Sequence, residues 1–221
     1  MSALIFDTET TGIPNWKQPV NAPSQPFIVQ LAAVLVDDEG NEQQSMNLMI
    51  KPDGWSVPTD AAAVHGIPTE RAEKYGLPIA AALQVFKMMY DKADFIVAHN
   101  ISFDLAMLRR YYPNDDQCPF LRGMVTAFDT KAAMQDICKL PLSEKQEAAR
   151  DRHKNSDGTY KWSPPGGWEE FKAPTMGEAY EYVTGYPLEG AHNAMADTEA
   201  CLEVFQYLRD KKLMDKGYYK I

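Results

Sequence analysis

Leu4-Ile5-Phe6-Asp7-Thr8-Glu9-Thr10-Thr11-Gly12 carries the chain from an apolar run onto two carboxylates. Residues 3–7 read as a buried strand. Side chains two apart on a strand share a face, so Asp7 and Glu9 converge while Thr8 points away. Acidic residues also mark the point where a strand enters a loop, and the pair alone fits either reading. Thr10-Thr11-Gly12 favours a site, because small residues and a glycine let the backbone approach a ligand closely.

Downstream, residues 27–36 form a second apolar run that ends in the turn Asp37-Asp38-Glu39-Gly40. Residues 44–51 alternate loosely as a third strand. Two strands joined by a short turn, with a strand before them, predict an antiparallel meander. The connection at 13–26 holds four prolines and reads as a surface loop. Residues 77–92 have helical spacing, with Leu77, Ala81, Val85, Met88 and Met89 on one side. A strand is expected at 95–99, a helix at 101–111 capped by Asn100, a strand at 124–128 and a helix at about 130–138. The segment 141–173 changes character, and reads as a helix followed by an irregular insertion containing Trp162-Ser163-Pro164-Pro165-Gly166-Gly167-Trp168. Helices at about 175–184 and 195–209 complete the chain. This order predicts a mixed α/β sheet with helices on both faces. Sites in such sheets lie near the carboxyl ends of strands, where Asp7, Asn100 and Asp129 fall.

With 221 residues the chain is expected to form a single domain over 1–221, with the insertion at about 141–173. No apolar run reaches the roughly 20 residues that span a bilayer, and the N-terminus lacks the features of a signal peptide. Cys118, Cys138 and Cys201 form neither a metal-ligand spacing nor a disulfide framework, as expected in the cytoplasm. The net charge of −9 argues against a protein that coats a long duplex, since such binders neutralise phosphates with a basic surface. It is compatible with a protein that grips only a strand end, and a carboxylate cluster becomes locally cationic once it holds divalent ions.

Two further blocks carry acids. In Val97-Ala98-His99-Asn100-Ile101-Ser102-Phe103-Asp104, Asp104 falls in the first turn of the expected helix. In His192-Asn193-Ala194-Met195-Ala196-Asp197, Asp197 does the same. Each alone is explained by the helix dipole, which favours acids there, and a lone histidine such as His192 is usually structural. Together the four acids suit Mg2+ or Mn2+, which prefer carboxylate and water oxygens. Two such ions about 4 Å apart can hold the attacking and leaving oxygens of an in-line displacement. Histidine exchanges protons near neutral pH, so His192 beside them could take one from the attacking water.

Phe6-Asp7-Thr8-Glu9-Thr10-Thr11-Gly12, His99-Asn100 with Phe103-Asp104, and His192-x-Ala194-x-x-Asp197 closely resemble the three motifs of the DEDD-type 3′–5′ exonucleases. They match the histidine subtype, the DnaQ-like group that includes the proofreading subunit of bacterial replicative polymerase. The resemblance runs from about residue 3 to 208. It implies a ribonuclease-H-like fold with a five-stranded mixed sheet flanked by helices. It also implies that Asp7, Glu9, Asp104 and Asp197 bind two divalent cations, Mg2+ or Mn2+, and that His192 is the general base. By the same resemblance Thr10, Thr11 and Ile13 line the pocket for the 3′-terminal nucleoside, with Asn100 and Phe103 beside it. Pro58-x-Asp60 and Val64-His65-Gly66-Ile67 resemble the segment near that nucleotide, where His65 would contact substrate; a local turn histidine is the alternative reading. Phe128-Asp129-Thr130 resembles a structural Asp-Thr at the fifth strand.

The departure from the family is the 141–173 segment, with Tyr160, Trp162, Trp168 and Phe171 beside Arg150, Arg152, Lys154 and Lys161. Aromatics can stack on bases while cations meet phosphates, so this flap is a candidate to hold single-stranded substrate or a partner. A solvated loop pinned by an aromatic cluster explains it equally. The last residues, Lys211 to Ile221, read as a solvated terminus. The expected activity is metal-dependent 3′–5′ hydrolysis of single-stranded DNA to nucleoside monophosphates. Nucleic acid with a free 3′ end is then the partner, a DNA polymerase or another replication or repair protein is a further one, and no membrane is involved. A 3′–5′ exoribonuclease is the second reading, separated from the first by how the pocket treats a 2′-hydroxyl. A non-catalytic binding module is the third, but none of the five site residues is lost.

Overall fold

A computed structural model describes residues 1–121, 125–161 and 169–219. The meander is present: β1 (Ala3–Thr10), β2 (Ile28–Val36) and β3 (Glu42–Met49) pair antiparallel in turn. β4 (Phe95–Ala98) then runs parallel to β1, and β5 (Thr126–Asp129) parallel to β4. All nine residues of β2 are buried. That is why this segment reads as a continuous apolar run instead of an alternation: both sides of the sheet are covered. On β1 the two sides separate by parity. Leu4 and Phe6 enter a core with Phe86, Met89, Leu105 and Leu108, whereas Ala3 and Ile5 enter another with Met134, Ala179, Val204 and Leu208.

The first core is roofed by α3 (Ile79–Tyr90) and α4 (Ile101–Arg109), the second by α5 (Thr130–Cys138), α7 (Met176–Thr184) and the 17-residue α8 (Ala194–Asp210). Two short helices, α1 (Thr59–His65) and α2 (Thr69–Tyr75), precede α3 in chain order, and α6 (Glu144–Asp151) precedes α7. A capping box between Ser143 and Gln146 starts α6, and one between Thr175 and Glu178 starts α7. The strand expected at 124–128 is observed as β5 from Thr126, and Met124 lies outside the described residues, as do residues 162–168, Lys220 and Ile221.

Three sequence expectations change. The sheet has six strands, in the order β3-β2-β1-β4-β5-β6, not five. β6 (Tyr218–Tyr219) comes from the stretch read as a solvated terminus and pairs antiparallel with β5. Its entry is set by Gly217, at φ 102°, whose carbonyl accepts the Asp129 N–H at 2.7 Å. A Cβ on Gly217 would stand 2.9 Å from the Phe128 ring, and Tyr218 packs edge-on against that ring at 5.4 Å. Second, α3 starts only at Ile79 and buries Ala82, Leu83, Phe86, Met89 and Tyr90, leaving Val85 and Met88 exposed, as is Leu77 before it. The segment is apolar nearly all round, so spacing alone cannot set its rotation. Third, α1 and α2 were not expected. Pro58, Pro68 and Pro78 each immediately precede a helix. Proline's fixed φ suits helix entry as well as a turn, and these helices are too short to show a period. Among the described residues no helix is long and apolar enough to cross a membrane. The three cysteines are unbridged.

Candidate active site

β1 carries Asp7 and Glu9 on its α8 side and Thr8 on its α4 side, as strand parity requires. The start of α8 is fixed above the two acids by groups that are not themselves acidic. Asn193 caps the helix by accepting the Met195 and Ala196 N–H groups. Gln30, opposite Glu9 on β2, accepts the Ala194 N–H at 3.2 Å and donates to Asn47 at 2.7 Å. Asp197 thereby meets the strand acids: oxygens of Asp7, Glu9 and Asp197 lie within 4.8 Å of one another. His192 sits at φ 66° just before the helix, exposed, and its backbone N–H donates to Asp197 Oδ2 at 2.8 Å.

Asp104 approaches from the other side of the sheet. It is 2% exposed, and its Oδ1 accepts both the Thr8 N–H (3.1 Å) and the Thr8 Oγ1–H (2.7 Å). It stands outside the three-oxygen group but is close enough to act on it electrostatically. Thr8, which the sequence suggests merely points away, is thus the clamp on the fourth acid. The path of α4 is set by Asp129, whose Oδ1 accepts the N–H groups of Asn100 (3.0 Å), Lys131 (2.9 Å) and Ala132 (3.3 Å). This holds Asn100 at φ 82°, the turn from which Asp104's helix departs. His99 completes the junction. Its Nε2–H donates to the Pro174 carbonyl at 3.0 Å, leaving Nδ1 to accept from Thr130 Oγ1 at 3.0 Å. Burial pushes its pKa down to about 4, so the ring is neutral and structural.

Burial raises the pKa values of all four acids, and repulsion from the other acids of the cluster adds to it at Asp7 and Glu9. Asp7 is held well above its ordinary value by burial, then by Asp104, Asp197 and Glu9. Burial, then Asp197 and Asp104, push Glu9 up to about 7. Burial lifts Asp104 to about 7 against the pull of the Thr8 bonds. Asp197 is raised by burial and drawn back by the His192 N–H and by electrostatic attraction to His192. Among the described residues no lysine or arginine forms an ion pair with any of them. Without cations, burial and crowding favour the protonated forms. Its all-oxygen donor set, free of thiols, fits hard divalent ions.

The residues singled out for substrate divide in two. Thr11 and Ile13, with Gly12, Pro58, Phe27 and Trp55, line an open groove of about 300 Å³. Ile13 is 83% exposed there. Thr10 and His65 are buried: Thr10 Oγ1 donates to the Gly12 carbonyl at 2.7 Å, and His65 Nδ1 accepts the Ile67 N–H at 3.2 Å. Burial lowers the His65 pKa, and its Nε2 has no partner among the described residues. Asn100 and Phe103 are half-buried, Phe103 against the α3–α4 core. Sequence reasoning missed the wall of the groove, where Phe27 stacks on Trp55 at 5.0 Å and the Arg110 guanidinium covers Phe27 at 3.9 Å. No spacing links these three residues, so no local signal could have joined them.

The sequence profile of the RNase_T family, described as Exonuclease, matches residues 4–157. A DNA polymerase III subunit epsilon-like protein of Rhodobacter capsulatus is 35% identical over 111 residues, which are 50% of this chain and 14% of that protein. Among solved structures, the zinc-bound complex of E. coli exonuclease I with single-stranded DNA aligns with a TM-score of 0.64 at 20% identity, covering 97% of this chain and 42% of that one. The same enzyme with a dT13 oligonucleotide gives 0.65 at 20% identity, again over 97% and 42%. The chain thus spans a small part of the curated relative and under half of exonuclease I, and at this identity the structural likeness speaks for the fold. With a ribonuclease-H-like sheet and the acids of all three motifs in place, the profile match over residues 4–157 establishes that the chain belongs to the exonuclease family, in its DnaQ-like DEDD group.

Proposed function

We propose that residues 1–221 act as one exonuclease domain, interrupted at about 141–173, that removes nucleoside monophosphates from the 3′ end of single-stranded DNA with two divalent cations, Mg2+ or Mn2+. The observation that carries this reading is the convergence of Asp7, Glu9 and Asp197 within 4.8 Å, with no basic side chain paired to them among the described residues. Asp7, Glu9 and Asp197 hold the ions, and Asp104, clamped by Thr8, completes the set. Bound divalent cations neutralise charge on a phosphoryl group and acidify water. The chain does the rest. His192 accepts a proton from the attacking water, while its own N–H keeps Asp197 aimed inward. Ile13 and Thr11 receive the terminal nucleoside in the groove beside β1. Asn100 and Phe103 flank it, and the buried Thr10 and His65 hold the neighbouring backbone through their bonds with Gly12 and Ile67. The related epsilon-like protein makes a DNA polymerase, or another replication or repair protein, the partner of choice.

The test uses one single strand labelled at either end, with Mn2+ or Mg2+, and a matched RNA. Immediate release of labelled mononucleotide from the 3′-labelled DNA, a ladder from the 5′-labelled one and slower RNA turnover are expected. Internal cleavage products, or release from the 5′ end, would end the proposal.

A further inference from the structure

After α6 the chain folds back as a small hairpin. Asn155 N–H donates to the Thr159 carbonyl and Lys161 N–H to the His153 carbonyl, both at 2.7 Å, and Lys154 pairs with Tyr160 across the two arms. The turn is built around Asp157 and Gly158, the glycine at φ 86°. Asp157 is consumed in making it: its carboxylate accepts the Thr159 N–H at 2.9 Å and Oγ1–H at 2.6 Å. What the hairpin and the end of α6 then present is positive. Arg150, Arg152, Lys154 and Lys161 lie within this short stretch of a chain whose net charge is −9. Among the described residues none of the four has a carboxylate partner, and the Arg150 Nε is buried without an acceptor. Elsewhere Lys87, Lys172 and Lys216 each hold an acid, Asp91, Glu178 and Asp136 in turn.

The excursion is also tied to the acid-bearing end of the sheet. On its return, Phe171 accepts from Gln135 Nε2 at 2.8 Å, Lys172 pairs with Leu140, and Pro174 accepts the His99 ring N–H. His99 directly precedes Asn100 and α4, which carries Asp104. The return side of the excursion docks at this junction, and its outgoing side carries cations that, among the described residues, have no carboxylate partner, with Asp151 the one acid between the two arginines. Such a set suits a polyanion that passes the acids.

We infer that the hairpin at 153–161, with Arg150 and Arg152 at the end of α6, holds the sugar–phosphate backbone of the substrate strand upstream of its 3′ end. The inference rests on the exonuclease reading. It explains how an acidic chain grips nucleic acid: the contact is concentrated on one device instead of spread over the surface. Each phosphate neutralised on a single strand contributes about 0.7 to the slope of log affinity against log salt. Losing two contacts therefore weakens binding on the order of 20-fold near 0.1 M salt.

The experiment compares the protein with its Lys154→Ala/Lys161→Ala variant on two substrates. One is a labelled 30-mer single strand; the other is the p-nitrophenyl ester of thymidine 5′-monophosphate, which has no upstream backbone. For the variant, a KM for the 30-mer raised about 10–30-fold, a salt slope shallower by about 1.4 and unchanged ester turnover are expected. Unchanged KM and slope on the 30-mer, with ester turnover intact, would overturn the inference. Fluorescence anisotropy of the 30-mer in EDTA reads the same contacts without turnover. If neither substrate is cleaved, the exonuclease reading fails, while a lysine-dependent anisotropy still decides the hairpin. Equal lysine-dependent binding of poly-glutamate would also overturn the inference, in favour of an acidic protein partner.

Discussion

Replacing Glu9 by glutamine should make the metal-free protein more stable at pH 8, although it removes a residue of the proposed metal site. The Glu9 carboxyl is pushed from its ordinary 4.5 up to about 7, by burial first and then by Asp197 and Asp104. Between those values the folded chain holds a proton that the unfolded chain has released. Stability from this group is therefore whole below pH 4.5 and falls as pH rises through the window, levelling above 7. Integrated over the shift, the ionised carboxylate costs about 3 kcal/mol at pH 8 and about 1 kcal/mol at pH 5. Glutamine has nearly the same shape and no charge to desolvate. For a chain of this size each kcal/mol moves Tm by about 2–4 °C, so in EDTA the gain should be about 6–12 °C at pH 8 and about 2–4 °C at pH 5. The assay is thermal unfolding by circular dichroism, repeated with Mn2+, which should raise the Tm of the unsubstituted protein at pH 8 more than that of the variant. A variant no more stable at pH 8, or a gain independent of pH, would refute the account of the cluster as four crowded carboxylates awaiting cations.

Other outcomes follow from the same geometry. His192→Ala should lower kcat on single-stranded DNA by about two to four orders of magnitude, the usual loss for a general base. Its Mn2+-induced Tm shift should persist, because the contact to Asp197 is through the backbone. Thr8→Val removes one of the two Thr8 hydrogen bonds that lower the Asp104 pKa. Asp104 should then ionise at higher pH, and the acidic limb of the pH–rate profile should move upward; an unmoved limb would separate Asp104 from catalysis. Gly217→Ala puts a Cβ 2.9 Å from the Phe128 ring at a φ of 102°. The cost should be about 1–3 kcal/mol, with faster hydrogen exchange at the Asp129 amide, whose partner is the Gly217 carbonyl.

What was legible in the sequence was whatever has a short period or a local cap. Asp7 and Glu9 share a face because strands repeat every two residues, and Asp104 and Asp197 fall in first turns because helices announce their starts. The run at 28–36 reads as a strand because β2 is buried on both sides. What was not legible depends on tertiary choice. The apolar faces of α3 compete, and only the sheet and the aromatic cluster of Phe6, Phe86 and Phe120 decide which turns inward. Thr8 looks idle until Asp104 arrives from 96 residues away. β6 has only two residues, and its strand identity comes from the open edge of β5, not from its own composition.

The arrangement separates what holds the site from what reacts in it. α8 is seated by Asn193 and Gln30, and α4 by Asp129, while His99 ties in the returning chain. None of these bonds involves Asp7, Glu9 or Asp197. The three acids in mutual reach oppose folding when ionised and unmetallated, since among the described residues no lysine or arginine forms an ion pair with them. Their convergence is therefore imposed by the surrounding hydrogen bonds and the two cores, in the manner of strain stored at functional sites. A site maintained against its own electrostatics keeps its geometry when one acid is neutralised. It responds to divalent ions by gaining stability and shedding the protons held in the cluster, so ion binding should be proton-linked and strongest above the window in which Glu9 titrates.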